Sequence, residues 1–433
     1  MTAGYSEYVG AGSLWLDMIP AHWRMSRLDH VARAWPSNVD KHSVLGEPPV
    51  RLCNYTDVYK NAAIVRDMDF MAATCPPDQI ERFRIAIGDT LLTKDSETAD
   101  DIGVPAYVEY EADDLICGYH LSIVRPAPGA IEPKFLYWAL AARPTAGQWA
   151  VLASGVTRVG LRAGDLAKAA FALPPPEEQR AIAAYLDRET ARIDTLIEEQ
   201  WRLIEMLRER RDSAWAACFE SARALGRQIS VRRLIDSIID GPFGSALTSA
   251  HYSDEGVRVI RLGNVGLNTF KAGDAVFIPH NYASELQAHA VNQGDVVVAG
   301  LGDEKMPLGR AAVVPDMGPA IVKADCYRLR PKARVSPAYL AWVLSAPQTR
   351  AQMMLLARGS TRARLNTKVV QQVEVPLPDT ETQELVLDRS VAETGKIDAL
   401  IAETERFIEL SKERRAALIT AAVTGQIDVR ESA

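Results

Sequence analysis

EEQRAIAAYLDRETARIDTLIEEQWRLIEMLRERRDSAW, Glu177–Trp215, and ETQELVLDRSVAETGKIDALIAETERFIELSKERRAALI, Glu381–Ile419, align without a gap at an offset of 204 residues. Of their 39 positions 15 are identical, where unrelated sequence gives roughly one in fifteen by composition. The repeat preserves an apolar stripe: Ile193, Leu196, Ile197, Leu203 and Ile204 return as Ile397, Leu400, Ile401, Phe407 and Ile408. Three-and-four spacing of this kind predicts one face of an amphipathic helix. Two such helices with matching faces in one chain predict a seam between them.

The repeat extends upstream of the helices. Gly155, Thr157, Arg158 and Leu161 return as Gly359, Thr361, Arg362 and Leu365, and Leu173-Pro174 returns as Leu377-Pro378. Further back, Phe135-Leu136-Tyr137-Trp138 resembles Tyr339-Leu340-Ala341-Trp342, and Gly88-Asp89 before an apolar run resembles Gly294-Asp295. Each half is thus read as a globular domain followed by one long helix, with boundaries at 1–173, 174–225, 226–377 and 378–433. Short β-like runs such as Thr90–Thr93, Val296–Ala299 and Val257–Leu262, separated by Gly, Pro and Asp, make the globular parts mixed. Prolines at 174–176, 376 and 378, followed by acidic residues, suit the entry to each helix. About 45 residues at 1.5 Å each give a helix of roughly 60–70 Å. The first helix leads to the second domain, and the second has a matching face to bury, so the economical arrangement is antiparallel. The expected fold class is α+β: two similar α/β domains separated by two long antiparallel coiled-coil helices, with pseudo-two-fold internal symmetry.

A chain of 433 residues with 48% hydrophobic residues has room for several ordinary cores. Its five cysteines (Cys53, Cys75, Cys117, Cys218, Cys326) lie far apart without CxxC or His spacing, which points to neither a metal nor a disulfide framework and suits a reducing cytoplasm. No secretory leader or membrane-spanning run is apparent. Net charge is −7, so any surface for nucleic acid must be local rather than chain-wide.

Catalytic signatures are missing. No GxGxxG follows a strand, and there is no GxxxxGK[ST], HExxH or GxSxG. Asp303-Glu304-Lys305 has the spacing of a nuclease metal site, but the first half offers no equivalent, so a solvated loop is the stronger reading. What stands out is basic. Arg358–Lys368, RGSTRARLNTK, carries Arg358, Arg362, Arg364 and Lys368 and no acid, and the first half keeps a weaker version in Arg158, Arg162 and Lys168. Arginine supplies paired donors for phosphate or a guanine edge, and Ser, Thr and backbone amides supply phosphate contacts. A second paired element diverges: KDSETADDIG, Lys94–Gly103, against GLGDEKMPLG, Gly300–Gly309. A repeated scaffold with different loops is what a reader of two targets needs. The candidate nucleic-acid contacts are therefore Arg158, Arg162, Arg358, Arg362, Arg364 and Lys368 in the turns, Lys94, Lys305 and Arg310 in or beside the loops, and Ser245 in a GPFGS turn.

These segments resemble the specificity subunit of type I restriction-modification systems. The likeness is carried by LPPPEEQRAIAAYLDRETARIDTLI (Leu173–Ile197) with ERR at Glu209–Arg211, IDALI with ERR at Ile397–Ile401 and Glu413–Arg415, GVTR (Gly155–Arg158), GSTR (Gly359–Arg362), WLDMIPAHW (Trp15–Trp23) and GPFGSAL (Gly241–Leu247). The second helix entry departs from the usual acidic-Gln pattern by placing Thr382 before Gln383. The resemblance implies two target recognition domains, each reading one half of a split site in double-stranded DNA, on helices that set the spacer and dock two methyltransferase subunits, with restriction subunits joining for cleavage. It also implies that the chain has no catalysis, metal or cofactor of its own. S-adenosylmethionine, ATP and magnesium would belong to the partners, and the adenine would be flipped into a methyltransferase subunit. A two-headed protein-interaction scaffold that does not bind DNA is the alternative.

Overall fold

The computed structural model describes residues 4–303, 306–357 and 363–430. The chain divides into two compact units, residues 1–200 with 406–433, and residues 201–405. Both mix short strands with helices, and two helices are long: Pro176–Leu225 and Thr380–Val423. The α+β class is as expected.

In the first unit the run Thr90–Thr93 is buried at every position, as a central strand requires. It pairs antiparallel with Leu121–Pro126 on one side and Pro105–Val108 on the other. Ala32–Pro36 and Ala63–Ile64 complete this five-stranded sheet, and Leu115–Cys117, Pro49–Cys53 and Met71–Thr74 form a second one. Helices Pro133–Ala141 and Arg143–Leu152 contribute Phe135, Leu136, Trp138 and Trp149 to the core.

The second unit is built on the same local rules. Val296–Ala299 is buried throughout and lies between Cys326–Pro331 and Ala311–Val313, both antiparallel. Helices Pro337–Ser345 and Pro347–Leu356 cover it through Tyr339, Trp342 and Met353. A Gly-Asp turn leads into each central strand, and its acid has the same duties in both units. Asp89 accepts the Ala86 amide at 2.8 Å and a two-pronged contact from Arg125 at 2.8 and 2.6 Å. Asp295 accepts the Asn292 amide at 2.9 Å and Arg330 at 3.0 and 2.9 Å. Further on, Gly103 and Gly309 share a φ of +76°, where L side chains are strained, and each lies against a helix side chain, Trp149 or Met353, that aligns in the repeat.

Glutamine explains how each long helix is fastened to its own head. Gln179 accepts the Glu132 amide at 2.8 Å and donates to the Pro174 carbonyl at 2.7 Å. Gln383 accepts the Ser336 amide at 3.1 Å and donates to Pro378 at 3.0 Å. The preceding position differs for a structural reason. Glu178 is buried in the first unit and accepts from Tyr5 (3.0 Å) and from His22 (2.7 Å) and Trp23 (2.9 Å) at the end of WLDMIPAHW, while Thr382 occupies the aligned place in the second.

Along the helices, ion pairs give direction within each unit. In the first, Glu178 lies 3.9 Å from Arg430 and Asp194 lies 2.9 Å from Arg415. In the second, Arg208 faces Glu405 at 3.7 Å and Arg211 faces Asp398 at 3.2 Å. In each case numbering rises on one segment as it falls on the other. The expected seam needs correction. Ile204, Ile397 and Ile408 are buried and Ile193, Ile197 and Ile401 half-buried, but Leu196, Leu203, Leu400 and Phe407 are exposed. Between Val386 and Ser411 the buried positions of the second helix, Val386, Ser390, Ile397, Thr404, Ile408 and Ser411, follow three-, four- and seven-residue steps. That is a narrow stripe, and it includes hydroxyl side chains that the apolar pattern does not flag.

Candidate nucleic-acid interface

In the first unit the divergent loop and the basic turn are laced together by backbone. The Lys94 amide donates to His120 O at 2.9 Å, Lys94 O accepts from Leu161 N at 2.8 Å, and Asp95-Ser96 pairs antiparallel with Val159-Gly160. The second unit repeats the device with other residues. Gly300 N donates to Asp325 O and Leu365 N to Gly300 O, both at 2.8 Å, and Leu301 bridges to Arg364. His120 and Asp325, which precede corresponding strands, both adopt positive φ. The frame is therefore the same, and the side chains standing on it are not.

In the first unit those side chains form a polar basin. Asp95 accepts from Lys94 Nζ and pairs with His120 Nδ1, each at 2.6 Å, and the Lys94 ammonium lies 4.7 Å from the centre of the Tyr119 ring. Burial alone would raise the Asp95 carboxyl, but hydrogen bonds and charge from Lys94 and His120 hold it below the usual range. A cavity of about 480 Å³ opens beside it, lined by Lys41, Tyr55, Tyr59, Asp101, His120 and Arg158 among others. Tyr55 and Tyr59 stack at 5.5 Å, and Tyr59 donates to Asp101 at 2.8 Å. Arg158 and Arg162 are exposed.

In the second unit Arg364 takes the corresponding ground. Its Nε meets Asp325 Oδ1 at 2.7 Å, and its guanidinium lies 5.6 Å from the centre of the Phe243 ring in the GPFGS turn. Asp240 supports this from below, accepting the Gly241 and Asp325 amides at 2.7 and 2.9 Å, and its carboxyl is pushed up to about 6, mainly by burial. Ser245 and Lys368 are exposed nearby in sequence. Lys305, Arg358 and Arg362 lie outside the described residues.

Two expectations change. Arg310 is only 3% exposed. It donates to the carbonyls of Val265 (2.6 Å), Leu262 (2.9 Å), Leu301 (3.0 Å), Pro307 (3.1 Å) and Met306 (3.2 Å). Five converging carbonyls make it the internal brace of the divergent loop rather than a surface contact. Lys94 is largely turned inward as well, committed to Asp95 and Tyr119. Conversely, Asp95, His120, Tyr55 and Tyr59, and Asp240, Asp325 and Phe243, were not singled out by sequence. Their residue types differ between the halves, and only the shared backbone bridges bring them into register. Among the described residues no group of three or more His, Cys, Asp or Glu could hold a metal ion, and no helix is long and apolar enough to cross a membrane.

Comparison with known proteins gives this geometry a context. Residues 56–205 match the family model of the type I restriction modification DNA specificity domain. Over 177 residues the chain is 24% identical to the specificity subunit of the type I restriction enzyme StySPI from Salmonella potsdam, covering 41% of this chain and 38% of that one. The MjaVIII specificity subunit of Methanocaldococcus jannaschii is 21% identical over 273 residues, 60% of this chain and 62% of that one. The matches thus span less than two thirds of these relatives' lengths. Among solved structures, a chain from work on complex assembly and conformational transition of the type I R-M system superposes with a TM-score of 0.70 at 18% identity, covering 94% of this chain and 99% of that one. The HsdS subunit of Thermoanaerobacter tengcongensis gives a TM-score of 0.50 at 18% identity, covering 94% and 98%. These two likenesses concern the fold.

Proposed function

Because the chain belongs with the specificity subunits of type I restriction-modification systems, we propose that it reads a split sequence in double-stranded DNA and leaves the chemistry to its partners. The heads within 1–173 and 226–377 each take one half-site, and the helical parts 174–225 and 378–433 act as an antiparallel spacer with approximate two-fold symmetry. The observation that carries this reading is the shared frame with exchanged side chains: the same bridges from loop to turn hold Asp95 and His120 in one unit and Arg364 and Asp325 in the other. Carboxylates accept from cytosine or adenine amines and arginine donates to guanine, so such an exchange changes the sequence read without changing the fold. Arg158, which lines the cavity with Asp95 and His120, and Arg162 and Lys368, exposed close by in sequence, supply phosphate contacts that fix register.

Partner recruitment draws support from the helices. Leu196, Leu203 and Met206 are exposed, as are Leu400, Phe407 and Leu410 at the repeat offset, which suits two copies of one partner. Two methyltransferase subunits would bring S-adenosylmethionine and flip the adenine, and restriction subunits would bring ATP and magnesium. We place the assembly in the cytoplasm. Sequencing of modified adenines in cells carrying the system tests the reading: a two-part motif with a fixed gap is expected, and an uninterrupted motif would overturn it.

A further inference from the structure

Helices Arg143–Leu152 and Pro347–Leu356 finish alike. Trp149 and Met353 are fully buried, yet the two residues that close each helix face solvent: Val151 and Leu152 are 73% and 42% exposed, and Leu355 and Leu356 are 87% and 46% exposed. Single exposed apolar residues are ordinary. An adjacent pair at the same register in both halves is less so, because the helix positions that keep their type otherwise, Thr145 with Thr349 and Gln148 with Gln352, are less exposed and the two glutamines bond to backbone, whereas these side chains face solvent. In the first unit the patch widens. Trp15 sits against Gly147, one helical turn before Val151, and leaves part of its ring exposed beside a fully exposed Leu14.

We propose that these helix ends are docking sites for a protein subunit that the chain takes up in two copies. The proposal rests on the specificity-subunit reading and adds to it a hold on each head, separate from the long helices. The occupant follows from the repetition. The two loops differ, so they meet different bases, whereas a surface kept in both heads must meet something that is the same twice. DNA backbone is also the same twice, but apolar side chains offer phosphates no donor, and the C-terminal end of a helix carries partial negative charge. An apolar pocket on a partner present in duplicate fits both facts.

The test uses the full chain with the methyltransferase subunit of its own system, followed by native mass spectrometry and titration calorimetry. Val151→Glu and Leu355→Glu alter exposed side chains, and unchanged circular dichroism melting shows that folding is intact. The wild-type chain is expected to bind two subunits, each single variant to weaken one of the two steps by about tenfold or more, and the double variant to weaken both. Two wild-type affinities in the double variant would overturn the proposal. So would intact assembly with lost DNA binding, which would make the patch a DNA contact. A wild-type chain that takes up no methyltransferase subunit at all would instead overturn the specificity-subunit reading on which the proposal stands.

Discussion

The two heads differ most where they are built most alike. In one, the loop after the central strand is bridged to the following turn and carries Asp95 against His120. In the other, the same bridge carries Arg364 against Asp325. Two pairs of residues whose side chains serve the backbone keep their type across the repeat: Asp89 and Asp295 close the turn, and Gln179 and Gln383 fasten the helix. Residues whose side chains stand on the finished backbone are free to change. Frame and exposed side chains are thus separable within a few residues of each other.

The largest test of that separation lies on the long helices. Ile204→Asp places a charge at a buried position and should cost about 3–5 kcal/mol, whereas Leu203→Asp, one residue away and exposed, should stay within about 0.5 kcal/mol. Urea denaturation of both variants checks this; equal losses would mean the seam is wider than the structure has it. A smaller contrast compares the glycines. Gly103→Ala meets the rigid Trp149 ring as well as the φ penalty, and should lower the opening free energy of the Thr90–Thr93 strand by about 3 kcal/mol. Gly309→Ala meets the pliable Met353 and should cost the Val296–Ala299 strand about 1–2 kcal/mol. Hydrogen exchange at the two strands reads both. For the interface, Arg158→Ala should weaken DNA binding by the assembled complex and flatten its log–log salt dependence by about one unit. An unchanged slope would remove Arg158 from the phosphate contacts.

The smallest expected effect is on pH. Asp240 has its carboxyl raised by burial, so the fold favours the protonated form and its contribution to stability is present at low pH and lost as pH rises through about 6. Asp240→Asn keeps the acceptor for Gly241 and Asp325 but cannot ionise. It should therefore gain on the native chain as pH rises from 5 to 7, seen as a narrowing or reversal of the difference in melting temperature. A difference independent of pH would show that Asp240 does not titrate in that range.

Much of the frame was legible in the sequence because it obeys local rules. Periodicity announced the helices, prolines their starts, and the offset of 204 tied the later parts of the halves together, while Gly88-Asp89 and Gly294-Asp295, 206 residues apart, were matched only by resemblance. The site was less legible, for two physical reasons. Arg310 looks like any arginine beside a variable loop, and only the convergence of five carbonyls turns it inward. His120 and Asp325 share a position but no chemistry, so no comparison of letters links them; the link is a positive φ and a backbone bridge. The stripe on the helices was legible as helix and misleading as seam, since Thr404 and Ser411 are inside and Leu400 and Phe407 outside.

The claim that two heads on a fixed spacer read two half-sites together is tested most directly by binding of the complex with its methyltransferase subunits to one DNA site, once intact and once with a single base pair added between the halves. Binding should fall steeply for the lengthened site while either half-site alone binds weakly. Equal affinity for both spacings would contradict it, because heads that act independently, or a scaffold that ignores DNA sequence, have no reason to register the inserted pair.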